Sequence, residues 1–217
     1  MKYEFLAFDL DGTLTDPKLG ITKGVQYALG QLGIEAPDLD ALVPFIGPPL
    51  LETFQERYGL TETGARQAVG YYREYYEAGG LYENLEFPSI TTALTTLAGT
   101  GRQLAVATSK PTVYAKKILR HFGMEHFFAF IIGSELDGSR TAKGDVIRFL
   151  LETATPSDLS RVVMIGDRKH DIDGAHQNGI DSIGVTYGYG SREELVAAGA
   201  THIVSSVGEL LALSLSL

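Results

Sequence analysis

Asp9 and Asp11 flank Leu10 where the apolar run Tyr3–Phe8 stops at Asp9-Leu10-Asp11-Gly12. Asp167 and Asp171 form a second acidic pair, spaced i, i+4, just beyond the apolar run Arg161–Ile165. Each pair alone fits a solvated turn or a helix cap. If the two runs are neighbouring strands, the carboxylates converge, and each like-charged pair at 4 Å costs ~4 kcal/mol at an effective dielectric near 20. A hard divalent cation with oxygen ligands removes that cost. Mg²⁺ commonly takes one or two carboxylates while keeping waters and a substrate phosphate. Asp9, Asp11, Asp167 and Asp171 are therefore the candidate metal residues.

A metal held in this way needs an anion to act upon. Gln103–Ala107 is a further apolar run, ending at Thr108-Ser109-Lys110-Pro111. Read as a loop at a helix start, it offers the Thr108 hydroxyl and backbone N–H groups to an anion. Lys143 adds a point charge beside the start of another helix. Taken singly, Thr108 reads as an N-cap and Lys143 as a surface lysine. Taken together, an anion site beside a carboxylate-held metal is what phosphoryl transfer requires, because its catalysis is mostly positioning and charge neutralisation.

The elements that must position these groups follow from the periodicity. Tyr3–Phe8, Gln103–Ala107, Phe128–Ile132, Arg161–Ile165 and Ser182–Val185 read as short buried strands. Helices are expected from Pro111 to about His121, from Lys143 through Val146, Ile147, Leu150 and Leu151, and over Asp171–Asn178 before Gly179. The alternation implies an α/β, Rossmann-like, doubly wound parallel sheet, with ligands at the carboxyl ends of its strands. From Pro17 to Glu86 the alternation breaks. Helical patterns at Lys23–Gln31, Asp38–Val43, Pro49–Tyr58 and Glu62–Ala78 suggest an inserted small helical bundle. Loop-like joints at Thr15-Asp16-Pro17 and Glu86-Phe87-Pro88 would flank it, giving a core of residues 1–16 and 87–217 and an insert of 17–86.

Composition narrows the function further. The 217 residues carry a formal net charge of −9, and Lys and Arg are scattered, so a nucleic-acid polymer is not the expected partner. No apolar run approaches the ~20 residues of a membrane span, and the start fits no signal peptide; a cytoplasmic protein without a membrane partner is expected. There is no cysteine, which excludes thiolate zinc sites and cysteine nucleophiles. The histidines show no metal spacing, and no P-loop motif occurs.

At this point the chain resembles a known family. Phe8-Asp9-Leu10-Asp11-Gly12-Thr13-Leu14 matches the first motif, DxDGT, of haloacid dehalogenase-like phosphatases. Thr108 matches the second motif, Lys143 the third, and Gly166-Asp167-Arg168-Lys169-His170-Asp171 the fourth, GDxxxD. The resemblance spans essentially the whole chain and is strongest to phosphoglycolate phosphatase-like and 5′-nucleotidase-like members with a helical cap after the first motif. It implies a Mg²⁺-dependent phosphatase acting on a small phosphorylated metabolite, as a monomer or homodimer. Asp9 would be the nucleophile and Asp11 the acid, then base. Asp167 would bind the cation, and Asp171 would hold its waters or orient Asp167. Thr108, Ser109 and Lys143 would grip the phosphoryl group.

Asp11 favours phosphate esters over haloacids, since the dehalogenases resembling this pattern lack a second Asp. Phe45-Ile46-Gly47-Pro48-Pro49-Leu50 reads either as a lid, with Gly47 against substrate, or as a plain helix connection. Tyr72 and Tyr75 are expected to pack together within the insert. Two rivals share the same residue types: a phosphomutase of the same fold, and a signalling module phosphorylated on Asp.

Overall fold

β1 (Phe5–Phe8) is buried at every position, as expected of a strand covered on both faces. The computed structural model describes residues 2–217 and continues from β1 through β2 (Thr15–Asp16), α1 (Lys18–Gln31), α2 (Leu50–Tyr58), α3 (Glu62–Ala78) and β3 (Leu85–Glu86). Then come α4 (Ile90–Gly99), β4 (Gln103–Pro111), α5 (Thr112–His121), β5 (Phe128–Ser134) and α6 (Lys143–Ala154). The chain ends with β6 (Val162–Gly166), α7 (Lys169–Gln177), β7 (Asp181–Val185), α8 (Arg192–Ala197), β8 (His202–Val204) and α9 (Val207–Ser216).

The chain divides into two compact units, one of residues 1–16 with 86–217 and one of residues 17–85. The first unit holds a six-stranded sheet in the order β5-β4-β1-β6-β7-β8 with every pairing parallel. The chain therefore builds outward from β1 through β4 to β5, then returns to lay β6, β7 and β8 on the other side. Such a reversal leaves a crevice at the carboxyl ends of the central strands. Side chains alternate across the sheet. Phe5, Ala7, Ala105, Ala107, Val162 and Met164 face one way and pack with Val146, Ile147 and Leu150 of α6 and Ala175 of α7. That packing fixes where α6 begins, and hence where Lys143, its first residue, is placed.

Within the second unit, α1, α2 and α3 pack around aromatic side chains. Phe45 and Phe54 have ring centroids 4.9 Å apart, and Tyr72 stacks on Tyr76 at 5.1 Å. Tyr72 and Tyr75 both lie over Gly24, where a Cβ would meet their rings at 2.8 and 3.6 Å, and Tyr75 also packs on Tyr27, 5.9 Å away, and donates a hydrogen bond to Glu83.

The joints also differ from expectation. Thr15–Asp16 and Leu85–Glu86 are short strands of a separate two-stranded sheet, not loops. Backbone bonds account for this order: Gly12 N–H donates to the Thr15 carbonyl and Phe87 N–H to that of Leu14. No helix among the described residues is long and apolar enough to cross a membrane.

Candidate active site

Asp9 follows β1 directly, and its N–H donates to the Ile165 carbonyl at 2.8 Å, so β1 and β6 stay paired into the site. The chain then turns tightly, with Leu14 and Thr15 N–H groups both donating to the Leu10 carbonyl. Gly12 sits in this turn at φ 82°, and a Cβ there would lie 2.2 Å from Oδ2 of Asp167. Glycine is needed for both the backbone angle and the close approach. Gly166 ends β6, Asp167 follows it, and Asp171 lies in the first turn of α7.

One carboxylate oxygen from each of Asp9, Asp167 and Asp171 lies within 4.8 Å of the other two, and all three residues are buried. The Lys143 ammonium group is 2.8 Å from Oδ1 of Asp9 and 2.8 Å from Oδ1 of Asp171. It donates its hydrogen bond to the Ala107 carbonyl at 3.1 Å. Oδ1 of Asp9 and Oδ1 of Asp171 are thus near the lysine without being aligned for a hydrogen bond, and Oδ1 of Asp167 also lacks one. Asp11 stands apart from this trio. Its Oδ2 pairs with Lys110 at 2.8 Å, and its buried Oδ1 has no hydrogen-bond partner.

The electrostatics follow from burial. Burial pushes the Asp167 carboxyl well above the usual range, and the charges of Asp171 and Asp9 push it further. Asp171 is pushed up to about 6 by burial, with Lys143 opposing and Asp9 adding. Burial also raises Asp11, against the pull of Lys110. Burial lowers Lys143, but Asp171 and Asp9 outweigh it, so the ammonium group stays charged. With all four carboxylates ionised, the two ammonium groups would leave two negative charges uncompensated in a desolvated site, which is why protons are retained there. Three clustered acids, each with a buried oxygen free of hydrogen bonds, suit a hard divalent cation, and no sulfur or imidazole ligand competes in the cluster.

Thr108 is buried on β4, with its Oγ1 accepting from Lys110 N–H at 3.3 Å. The Thr108–Lys110 segment is not the loop expected from the sequence. β4 runs on to Pro111 because β5 continues beside it, pairing Ser134 with Pro111 and bonding the Ser134 hydroxyl to the Ser109 carbonyl. The helix that follows starts only at Thr112. Ser109 is half-buried, and Gly47 lies in the other unit, in a turn at φ 104° ahead of α2.

The sequence reading missed two contributors. Lys110 is one: the sequence suggests a loop here, whereas β4 continues with a register shift between Ala107 and Pro111 that residue type does not reveal, and Lys110 ends beside Asp11. The segment Thr186–Gly190 after β7 was missed too. Tyr189 N–H donates to Oδ2 of Asp167 at 2.7 Å, and the Tyr187 hydroxyl to the Thr13 carbonyl at 3.0 Å. The Tyr189 hydroxyl also bonds Asp16. A Cβ on Gly188 would lie 2.2 Å from the Gly12 carbonyl oxygen, and one on Gly190 1.9 Å from that of Asp167. Tyrosines alternating with glycines directly after a buried strand were the available signal.

A parallel sheet that gathers buried acids and lysines at the carboxyl ends of its central strands defines an α/β enzyme core with an electrostatic, oxygen-lined site. Residues 6–185 match the model of the haloacid dehalogenase-like hydrolases. A 5′-nucleotidase of Pseudomonas aeruginosa is 50% identical over 210 residues, covering 97% of this chain and 95% of that protein. The tyrosine-protein kinase PtkA of Mycobacterium tuberculosis is 42% identical over 202 residues, covering 93% of this chain and 68% of that protein. A crystal structure of a predicted phosphatase from Clostridium acetobutylicum superposes with a TM-score of 0.97 at 47% identity, over 100% of both chains. The chain belongs to the haloacid dehalogenase-like hydrolase family, as an enzyme of the phosphatase type.

Proposed function

We propose that this phosphatase is Mg²⁺-dependent and hydrolyses small phosphate monoesters through an aspartyl-phosphate on Asp9. The observation that carries the reading is the buried cluster of Asp9, Asp167 and Asp171 around Lys143. Asp9, Asp167 and the Asp11 backbone would hold the cation, with Asp171 orienting Asp167 or the cation's waters. Bound Mg²⁺ supplies positive charge that lets the anionic nucleophile and the phosphoryl group approach each other.

Asp9 attacks phosphorus, forming an acyl-phosphate bond as the ester P–O bond breaks. Asp11 gives its proton to the departing oxygen, releasing the alcohol. It then takes a proton from water as the water oxygen attacks phosphorus, and inorganic phosphate leaves Asp9. Thr108, Ser109 and Lys143 hold the phosphoryl oxygens and oppose their growing charge. We assign the helical unit of residues 17–85 the role of a cap that sets substrate choice, with Gly47 as a substrate-binding residue. Nucleoside monophosphates are candidate substrates, a reading supported by the likeness to the 5′-nucleotidase relative, beside phosphoglycolate and sugar phosphates.

A phosphate-release screen over these esters, with Mg²⁺ and with chelator, tests the reading. Activity should vanish with chelator and return with Mg²⁺, and Asp9→Asn should abolish turnover. Undiminished hydrolysis after every divalent ion is stripped, or by pure Asp9→Asn protein, would sink it. Phosphate passed to an acceptor hydroxyl instead of water would identify a transferase.

A further inference from the structure

The two buried lysines have different partners. Lys143 faces Asp9 and Asp171, while Lys110 faces Asp11 from the far end of β4. Both side chains of the Lys110–Asp11 pair are nearly inaccessible, at 6% and 10% exposure. Burying an ammonium group and a carboxylate together is costly unless the two are closely paired. The geometry fixed here is specific. Oδ2 of Asp11 is anchored at 2.8 Å on Lys110, and Oδ1 is buried with no hydrogen-bond partner. Lys110 is itself constrained within the irregular end of β4, because its N–H donates to Oγ1 of Thr108 and its carbonyl packs so closely on Gly133 that a Cβ there would lie 2.2 Å from the oxygen. One oxygen is therefore tethered, and the other is kept available.

We propose that Lys110 is the positioning residue for Asp11, presenting the untethered carboxyl oxygen to the leaving group, and that it thereby determines how well the enzyme cleaves esters with poor leaving groups. The inference rests on Asp11 being the proton donor proposed above. An alkyl phosphate expels an alkoxide that must be protonated as its P–O bond breaks. p-Nitrophenyl phosphate expels a stabilised phenolate that hardly needs the proton. Loss of the tether therefore harms the two substrates unequally, whereas a merely structural or phosphate-binding lysine would affect both alike.

The experiment compares kcat/KM for p-nitrophenyl phosphate and glycerol phosphate, at saturating Mg²⁺, in wild type, Lys110→Met, Lys110→Arg, Asp11→Asn and the double variant Asp11→Asn/Lys110→Met. kcat/KM covers the steps through cleavage of the ester bond, so later dephosphorylation does not mask the difference. Lys110→Met is expected to lose at least tenfold more on the alkyl ester than on the aryl ester. Lys110→Arg should recover part of that gap. In the Asp11→Asn background, Lys110→Met should change the ratio less than twofold, since no carboxylic acid is then left for Lys110 to position. Equal losses on both esters in Lys110→Met, with Asp11→Asn still discriminating, would overturn the role of Lys110 alone. If Asp11→Asn itself fails to discriminate, the proton-donor reading falls instead. Should Lys110→Met not fold, Lys110→Gln carries the same comparison with the same outcomes.

Discussion

Lys143 sits 2.8 Å from a carboxylate oxygen of both Asp9 and Asp171, with its side chain 4% exposed. A cation so placed cannot be removed without stranding two buried acids. Truncating one partner of a buried ion pair typically costs about 3–5 kcal/mol, since the remaining charge is left uncompensated. Lys143→Met keeps most of the volume and should lower unfolding free energy by about 3 kcal/mol on that basis, measured by urea denaturation without divalent ions. A change within about 0.5 kcal/mol, the ordinary range for a surface substitution, would show that Lys143 is not the counter-charge that holds the acids together. At this scale the sequence was informative for one physical reason. Asp9, Asp11 and Asp167 end apolar strands, and chemistry-bearing residues in parallel sheets collect there. Lys110 and Tyr189 escaped notice because their contributions depend on a strand continuing and on a backbone N–H, neither of which residue type reveals.

Among the elements, α6 does two jobs: it covers one face of the sheet and it starts with Lys143. Val146, Ile147 and Leu150 are fully buried against the sheet. Ile147 also meets α7, since a Cβ on Gly174 would touch its Cδ1 at 3.0 Å. Ile147→Ala should therefore cost about 2–5 kcal/mol, as large-to-small changes in a tight core do. Because α6 anchors the lysine, kcat should fall as well, whereas Glu152→Ala, on the exposed side, should leave both nearly unchanged. Comparable effects of the two changes on urea midpoint and rate would contradict this division of the helix. The apolar stripe of α6 was plain from its i, i+3, i+4 spacing. β8 was not, because His202–Val204 is only three residues long and lies at the sheet edge, where few apolar positions are demanded. α1 was expected to begin at Lys23 but begins at Lys18: Gly20 and Gly24 dilute its apolar pattern, while backbone and a tyrosine ring fill the space where their side chains would be.

For the whole molecule, the acids of the site come from opposite ends of the chain and meet only when the sheet closes around β1. The unfolded chain has no such cluster, so a cation that binds it stabilises the folded state alone, by about 2.7 kcal/mol at a concentration 100 times its Kd. The sign of the pH dependence follows from the raised carboxyls. Asp171 is held up to about 6 and Asp167 well above its usual range, each chiefly by burial. Without metal, the folded state therefore holds protons that the unfolded state has released. Its stability falls as pH rises from the ordinary carboxylate range through those elevated values. A bound cation takes the place of those protons and removes the penalty. The rise in Tm on adding Mg²⁺ should accordingly be larger at pH 8 than at pH 5, and Asp167→Asn should lose most of it while keeping its fold by circular dichroism. An equal Mg²⁺ shift at both pH values and in Asp167→Asn would mean that the ion acts through the general negative charge of −9 rather than through the buried acids. The alternation of strands and helices announced this architecture and its inserted helical unit, but it could not announce the balance of charges. That balance depends on which lysine reaches which carboxylate, a matter of packing that emerges only when β4, α6 and α7 are brought against β1 and β6.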